Sequence, residues 1–150
     1  MLFRSTPAPD ARDTLRLLEG FERAIFSNGS DGMLAALVRN SGLEGMLEHV
    51  ISVDPVRVFK PSPKAYALVE AVTGIPPGET MFVSSNGFDV AGAKRFGFQV
   101  AWVRRGGTAD TGLADAGPIA MFKAQRLHAE VLQAKPDHVL SSLTEIADLN

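Results

Sequence analysis

The order and composition of its apolar segments predict that this chain adopts an α/β fold with a parallel sheet. Short runs rich in β-branched or aromatic residues alternate with longer segments in which apolar residues recur at helical spacing. Most of the short runs are apolar on consecutive residues, which is typical of strands covered on both faces. Strict alternation of strand and helix favours right-handed crossovers, which make the strands parallel. No repeat, low-complexity tract or long block of like charge divides the 150 residues, so we predict a single domain over residues 1–150.

Each predicted element has a recognisable start or end. The candidate strands, in chain order, are residues 23–27, 50–53, 81–84, 99–103 and 138–140. The candidate helix N-caps, in the same order, are Asp10, Ser30 or Asp31, Ser62, Asp89 and Ser142. Gly20, Gly42 and Gly74 stand where the first three helices are expected to end. Residues 104–118 contain four glycines and are predicted to form a loop before a helix-like stretch over residues 119–132.

Composition narrows the partners that this chain can have. Fifteen Lys and Arg against 17 Asp and Glu give a formal net charge of -2, which does not provide the broad cationic face that binding nucleic acid requires. The absence of cysteine excludes disulfides, a thiolate nucleophile and Cys-ligated zinc, and it fits the cytoplasm. No apolar run approaches the roughly 18 residues of a membrane span. We therefore expect a cytoplasmic protein that binds neither nucleic acid nor membrane.

Polar clusters follow three of the predicted strands. Residues 27–29 follow the first strand, residues 60–63 lie downstream of the second, and residues 84–89 follow the third. Each cluster alone is explained as a turn, a solvated side chain or a helix cap. However, the ligand crevice of an open parallel sheet lies beyond the carboxyl ends of its strands. The shared location of the three clusters therefore favours a functional site.

These clusters resemble three motifs of a known family. Residues 26–29 (FSNG), residues 58–63 (VFKPSP) with Tyr66, and residues 82–93 (FVSSNGFDVAGA) resemble the second, third and fourth motifs of the haloacid dehalogenase superfamily. The resemblance is closest to the (S)-2-haloacid dehalogenases. It implies a three-layer, Rossmann-like core and hydrolytic removal of halide from short 2-haloalkanoic acids. The implied partner is a 2-haloacid carboxylate, and no cofactor is implied.

The resemblance also implies four catalytic residues: Lys60, Ser84, Asn86 and Asp89. In the implied reaction an Asp attacks the substrate carbon to form an ester, which water then hydrolyses. Lys60 would balance and orient that nucleophile, and Asp89 would pair with Lys60 and assist hydrolysis. Ser84 and Asn86 would order the site and its water.

Three further residues are implied to bind substrate: Ser27, Asn28 and Tyr66. Ser27 and Asn28 would help to hold the substrate carboxylate. Tyr66 falls where the family has an active-site tyrosine on the helix after Lys60, and a half-buried helix residue is an equally good interpretation.

One position separates this family's two chemistries. Phosphatases of the superfamily carry an acidic pair that helps to hold Mg²⁺, whereas this chain has Ser85 at the first acidic position and retains only Asp89. We therefore expect no metal site. A dehalogenase benefits from this change, because a tightly bound cation would quench the carboxylate nucleophile. A Mg²⁺-dependent phosphatase relative remains the alternative enzyme.

The superfamily's first motif, Asp-x-x-Gly-Thr, does not occur in the sequence. Only 26 residues precede Ser27, and Asp10 and Asp13 lie in a predicted helix rather than after a buried strand. We therefore expect a partial core that lacks the central nucleophile strand and the cap, and that is inactive alone. Strands 23–27 and 81–84 would then close against each other, or another chain would fill the gap, as in a homodimer. A noncatalytic, anion-binding or self-associating remnant is the third interpretation.

Overall fold

The computed structural model describes residues 7–105 and 134–149, which form two compact units. The first unit comprises residues 1–75 and 143–150, and the second comprises residues 76–142. The helix-like stretch predicted over residues 119–132 and most of the predicted loop before it lie outside the described residues. The single domain over residues 1–150 stays a prediction.

The first unit alternates helix and strand. Its elements are α1 (Ala11–Leu17), β1 (Ala24–Ser27), α2 (Asp31–Ser41), β2 (His49–Ser52), α3 (Pro63–Thr73) and 3₁₀ turns at Asp54–Val56 and Leu143–Asp148. β1 and β2 pair in parallel, with Ala24 opposite His49 and Ser27 opposite Ser52. The buried side chains include Leu34, Val38, Ile51, Val53, Ala65, Tyr66 and Val69. Helices α2 and α3 therefore bury one face each.

Local signals set the ends of α2. The Ser30 hydroxyl accepts the Met33 backbone N–H at 3.4 Å, as a serine N-cap does. Gly42 ends the helix at φ 65°, in the left-handed region that glycine adopts without strain. A Cβ at this glycine would also collide with the guanidinium of Arg12, which donates to the Ser41 carbonyl at 2.7 Å. The left-handed φ therefore favours glycine at position 42, and a side chain there would displace the Arg12 guanidinium.

The second unit contains a three-stranded parallel sheet. Its elements are a 3₁₀ turn at Pro77–Glu79, β3 (Met81–Ser84), α4 (Gly87–Phe96), β4 (Gln99–Val103) and β5 (His138–Leu140). The strand order is β3-β4-β5, and Ser84 lies opposite Trp102. Phe82 and Phe98 stack with ring centroids 5.4 Å apart, and Val100 is fully buried.

Four local predictions need correction. Helix α1 ends at Leu17, with Leu18 as its C-cap, rather than at Gly20. Helix α4 begins two residues before Asp89, its N-cap is Asn86, and Asp89 lies buried in the first turn. The last segment forms a 3₁₀ turn rather than an α-helix. Asp10 is the N-cap of α1 by position, but its carboxylate accepts the Leu143 backbone N–H at 2.8 Å instead of capping its own helix.

Each unit has its own strand pairing. Among residues 7–105 and 134–149, β1 pairs with β2 in the first unit, and β3 pairs with β4 in the second. Closure of β1 against β3 stays a prediction, as does filling of the gap by another chain.

Candidate active site

The first group of candidate residues lies around the turn that follows β1. The Asn28 side chain joins this turn to the Lys60 segment, 32 residues further along the chain. Its Oδ1 accepts the Lys60 backbone N–H at 2.8 Å, and its Nδ2 lies 3.5 Å from the Lys60 carbonyl oxygen. Because the first distance is typical of a well-formed hydrogen bond, Asn28 fixes the backbone from which the Lys60 side chain extends.

The Lys60 ammonium also contacts β1. Its Nζ donates to the Phe26 carbonyl oxygen at 3.2 Å and lies 4.7 Å from the centroid of the Phe26 ring. Such a position over an aromatic face is a cation–π arrangement. The peptide bond that follows, Lys60–Pro61, is cis. Lys60 is therefore held through both its backbone and its charge.

Ser27 ends β1 with a hydroxyl that can still donate. Its Oγ accepts the Gly29 backbone N–H at 3.0 Å, and the Ser52 hydroxyl donates to the Gly29 carbonyl at 2.8 Å. These bonds fix the turn from both sides. A hydroxyl that accepts one bond retains its own hydrogen, which suits the donation to a substrate carboxylate predicted for Ser27.

Tyr66 is fully buried in α3, not half-buried as the helix interpretation supposed. Its ring meets that of Phe26 edge-on, with centroids 6.1 Å apart and an interplanar angle of 63°. This geometry is a favourable aromatic pair. Tyr66 thus packs against Phe26, which also contacts the Lys60 ammonium.

The second group of candidates lies in the second unit, where β3 leads into α4. The Ser84 hydroxyl accepts the Asn86 backbone N–H at 3.1 Å and lies 3.4 Å from Asp89 Oδ2. Asp89 is only 4% exposed. Its carboxylate lies in the first turn of α4. Asn86 is exposed and its side chain does not cap the helix.

Trp102 supports this second group and was not predicted as a site residue. Its Nε1 donates to the Ser85 carbonyl at 3.4 Å, and the Arg104 guanidinium lies 4.7 Å from its ring centroid. The available sequence signal was register, because Trp102 lies opposite Ser84 at the end of the neighbouring strand. Phe26, within the FSNG motif, was likewise given no role.

The structure therefore connects the predicted residues within each group. It joins Asn28 to Lys60 in the first unit, and Ser84 to Asp89 in the second. The catalytic and substrate-binding roles stay predictions, as does the ion pair of Lys60 with Asp89. In the described part of the chain, no group of three or more His, Cys, Asp or Glu side chains could hold a metal ion. No helix in that part is long and apolar enough to cross a membrane.

Two charge pairs lie at the amino ends of the strands, opposite to the ends that carry the candidate residues. Arg23 binds Glu48 through Nη2 at 2.6 Å and Nε at 3.2 Å, and these bonds lower the pKa of Glu48 to about 2. At the start of β4, the side chain of Asp137 binds Lys94 at 2.6 Å and the Val100 N–H at 2.7 Å, which lowers the pKa of Asp137. Both pairs therefore lie at the amino ends of the strands, whereas the candidate residues of β1 and β3 lie at the carboxyl ends.

Comparison with known families agrees with these motifs. A family model described as haloacid dehalogenase-like hydrolase matches residues 2–97, about two thirds of the chain. The chain belongs to this family. A second model of the same kind, described as HAD-hydrolase-like, matches residues 58–146 of this haloacid dehalogenase-like chain.

Curated relatives and a solved structure support the same grouping. The (S)-2-haloacid dehalogenase of Xanthobacter autotrophicus is 49% identical over 152 residues, which cover 97% of this chain and 59% of that protein. Haloacetate dehalogenase H-2 of Moraxella sp. is 50% identical over 71% of this chain and 48% of its own length. The L-2-haloacid dehalogenase from Xanthobacter autotrophicus with chloropropionic acid covalently bound superposes with a TM-score of 0.87 at 49% identity, over 97% of this chain and 61% of that one.

These comparisons confirm the predicted resemblance and the predicted α/β class with parallel strands. The haloacid dehalogenase-like chain spans about half to three fifths of the length of these relatives.

Proposed function

We propose that these 150 residues supply the Lys60 and Asp89 side of a site that removes halide from short (S)-2-haloalkanoic acids. The observation that carries this proposal is the 49% identity to an (S)-2-haloacid dehalogenase over 97% of the chain. The two residue groups at the ends of β1 and β3 support it, because they fix a cation and a buried carboxylate by specific contacts.

The proposed reaction has two steps. A carboxylate oxygen attacks C2 of the substrate, the carbon–halogen bond breaks, and the bonding electrons leave with the halide. Water then loses a proton to Asp89 and attacks the resulting ester, which releases a 2-hydroxy acid and regenerates the carboxylate. Lys60 balances the charge of the nucleophile, Ser27 and Asn28 hold the substrate carboxylate, and Ser84 and Asn86 order the water.

No Asp-x-x-Gly-Thr run occurs in the 150 residues, so we propose that the attacking carboxylate comes from outside them. We therefore propose that this polypeptide on its own does not release halide. It becomes competent when a nucleophile-bearing segment is joined to it.

A chimera tests the proposal directly. This chain replaces the matching part of the Xanthobacter autotrophicus relative, whose remaining residues supply the rest of the protein. Chloride release from (S)-2-chloropropionate is then measured for the chimera and for the 150-residue chain. We expect release only from the chimera, and loss of release on Lys60→Ala but not on Lys64→Ala, an exposed lysine of α3.

Three outcomes contradict the proposal. The first is a folded chimera that releases no chloride, and the second is release that persists after Lys60→Ala. The third is Mg²⁺-dependent hydrolysis of p-nitrophenyl phosphate in place of dehalogenation. That last result would support the phosphatase alternative. The sequence counts against this alternative, because Ser85 replaces one of the two acidic residues that help to hold Mg²⁺.

A further inference from the structure

Phe26, in β1, and Asn28, in the turn after it, hold Lys60 through its ammonium and its backbone. Asn28 Oδ1 binds the backbone N–H of Lys60 at 2.8 Å. The Phe26 carbonyl oxygen lies 3.2 Å from the ammonium, and the centroid of the Phe26 ring lies 4.7 Å from it. The bond to Asn28 fixes the Lys60 backbone, and Phe26 fixes the position of the Lys60 ammonium.

The direction of the Phe26 carbonyl locates this charge relative to the sheet. The carbonyls of Arg23 and Ser27 accept bonds from the β2 segment, through the N–H groups of His49 and Val53, each at 3.2 Å. Successive carbonyls of a strand point to opposite edges, so the Phe26 carbonyl faces away from β2. The Lys60 ammonium therefore lies at the edge of β1 that β2 does not occupy.

The Phe26 ring is itself held in place. Tyr66, which is fully buried in α3, meets it edge-on at 6.1 Å. A ring packed in this way cannot turn aside without disturbing a buried neighbour. The carbonyl contact would survive any substitution at position 26, whereas the ring contact depends on an aromatic side chain.

We propose that Phe26 is a positioning residue. It holds the Lys60 ammonium in place so that the ammonium can balance the charge of the attacking carboxylate. The proposal rests on the proposed function for its catalytic meaning, but its geometric part stands without it. A cation on an aromatic face is stabilised by electrostatic attraction to the ring, and a better-defined cation stabilises the charge of the attacking carboxylate more effectively. Phe26 acts through Lys60 and does not touch substrate.

The geometric part is tested by NMR on the 150-residue chain. Protons above an aromatic ring are shielded, so the ε-methylene protons of Lys60 should resonate upfield of those of exposed Lys64. Phe26→Leu should remove this shift, Phe26→Tyr should keep it, and Phe21→Leu, an exposed position before β1, should leave it unchanged. An ordinary wild-type shift for Lys60 refutes the geometry even if the Leu variant fails to fold.

The catalytic part is tested in the chimera. Phe26→Leu should lower kcat for chloride release by about three- to thirtyfold, the range that corresponds to a typical cation–π interaction, with KM little changed. Phe26→Tyr should restore kcat. An unchanged kcat in a folded Leu variant that has lost the upfield shift overturns the positioning role. A chimera with no activity refutes the proposed function, and the NMR result then still decides whether Phe26 holds Lys60.

Discussion

Asn28→Ala is the most informative single test of the first group of site residues. The substitution removes the acceptor of the Lys60 backbone N–H, a 2.8 Å bond between two partly buried segments. The second contact, from Nδ2 to the Lys60 carbonyl at 3.5 Å, lies at the limit of a hydrogen bond and adds little. Loss of one such bond, with a partly buried donor left unpaired, costs about 1–2 kcal/mol of the free energy of unfolding.

Urea unfolding of the 150-residue chain, followed by circular dichroism, measures this loss. Thermal unfolding should give a matching decrease in Tm of about 2–4 °C for each kcal/mol. Asn28→Asp retains an acceptor oxygen and should keep most of the stability. Asn40→Ala, at an exposed position of α2, should be neutral or slightly stabilising because alanine favours helix. If Asn28→Ala and Asn40→Ala had the same stability, Asn28 would not fix the Lys60 segment.

Two further predictions concern charge and the second group of site residues. The pKa of Glu48 is lowered to about 2 by Arg23, so the contribution of this pair is complete above the unfolded pKa of 4.5 and is lost as pH falls towards 2. The difference in Tm between wild type and Glu48→Gln should therefore be largest above pH 4.5 and should shrink as the pH falls to 2. The control variant Glu44→Gln, at an exposed position, should show no such trend. Trp102→Phe keeps an aromatic ring but removes the donor to the Ser85 carbonyl. The N–H of the same peptide group belongs to Asn86 and donates to Ser84 Oγ, so hydrogen exchange at the Asn86 amide should become severalfold faster. Unchanged exchange there would show that the indole N–H does not order the turn.

The elements of this fold could be predicted where local signals decide them. Strands β3, β4 and β5 have the bounds expected from their apolar runs. β1 begins one residue later than expected, and β2 begins and ends one residue earlier. The caps of α2, Ser30 and Gly42, are residues that directly flank the helix in sequence.

Competition between neighbouring residues explains the misplaced start of α4. Asn86 and Asp89 are both good N-cap residues and stand three positions apart, so composition alone does not separate them. The structure resolves the choice because Asp89 turns towards Ser84 and is buried.

The contacts that organise the site depend on distant residues, and the sequence contains no local signal for them. Phe26 and Lys60 are 34 residues apart, and Trp102 and Ser85 are 17 apart. Motifs identified which residues to examine, but the pairing of strand ends was needed to show which side chains meet.

The bond between Asp10 and Leu143 joins the two separate stretches of sequence that make up the first unit. It joins residues 133 positions apart, and the turn Leu143–Asp148 belongs to the same unit as α1. The second unit is therefore inserted, in sequence, between two parts of the first. Because α1 contacts the Leu143–Asp148 turn, a circular permutation that joins the termini and opens the chain within the second unit would keep both parts of the first unit together. Deleting the last eight residues would instead damage the unit that contains the start of the chain.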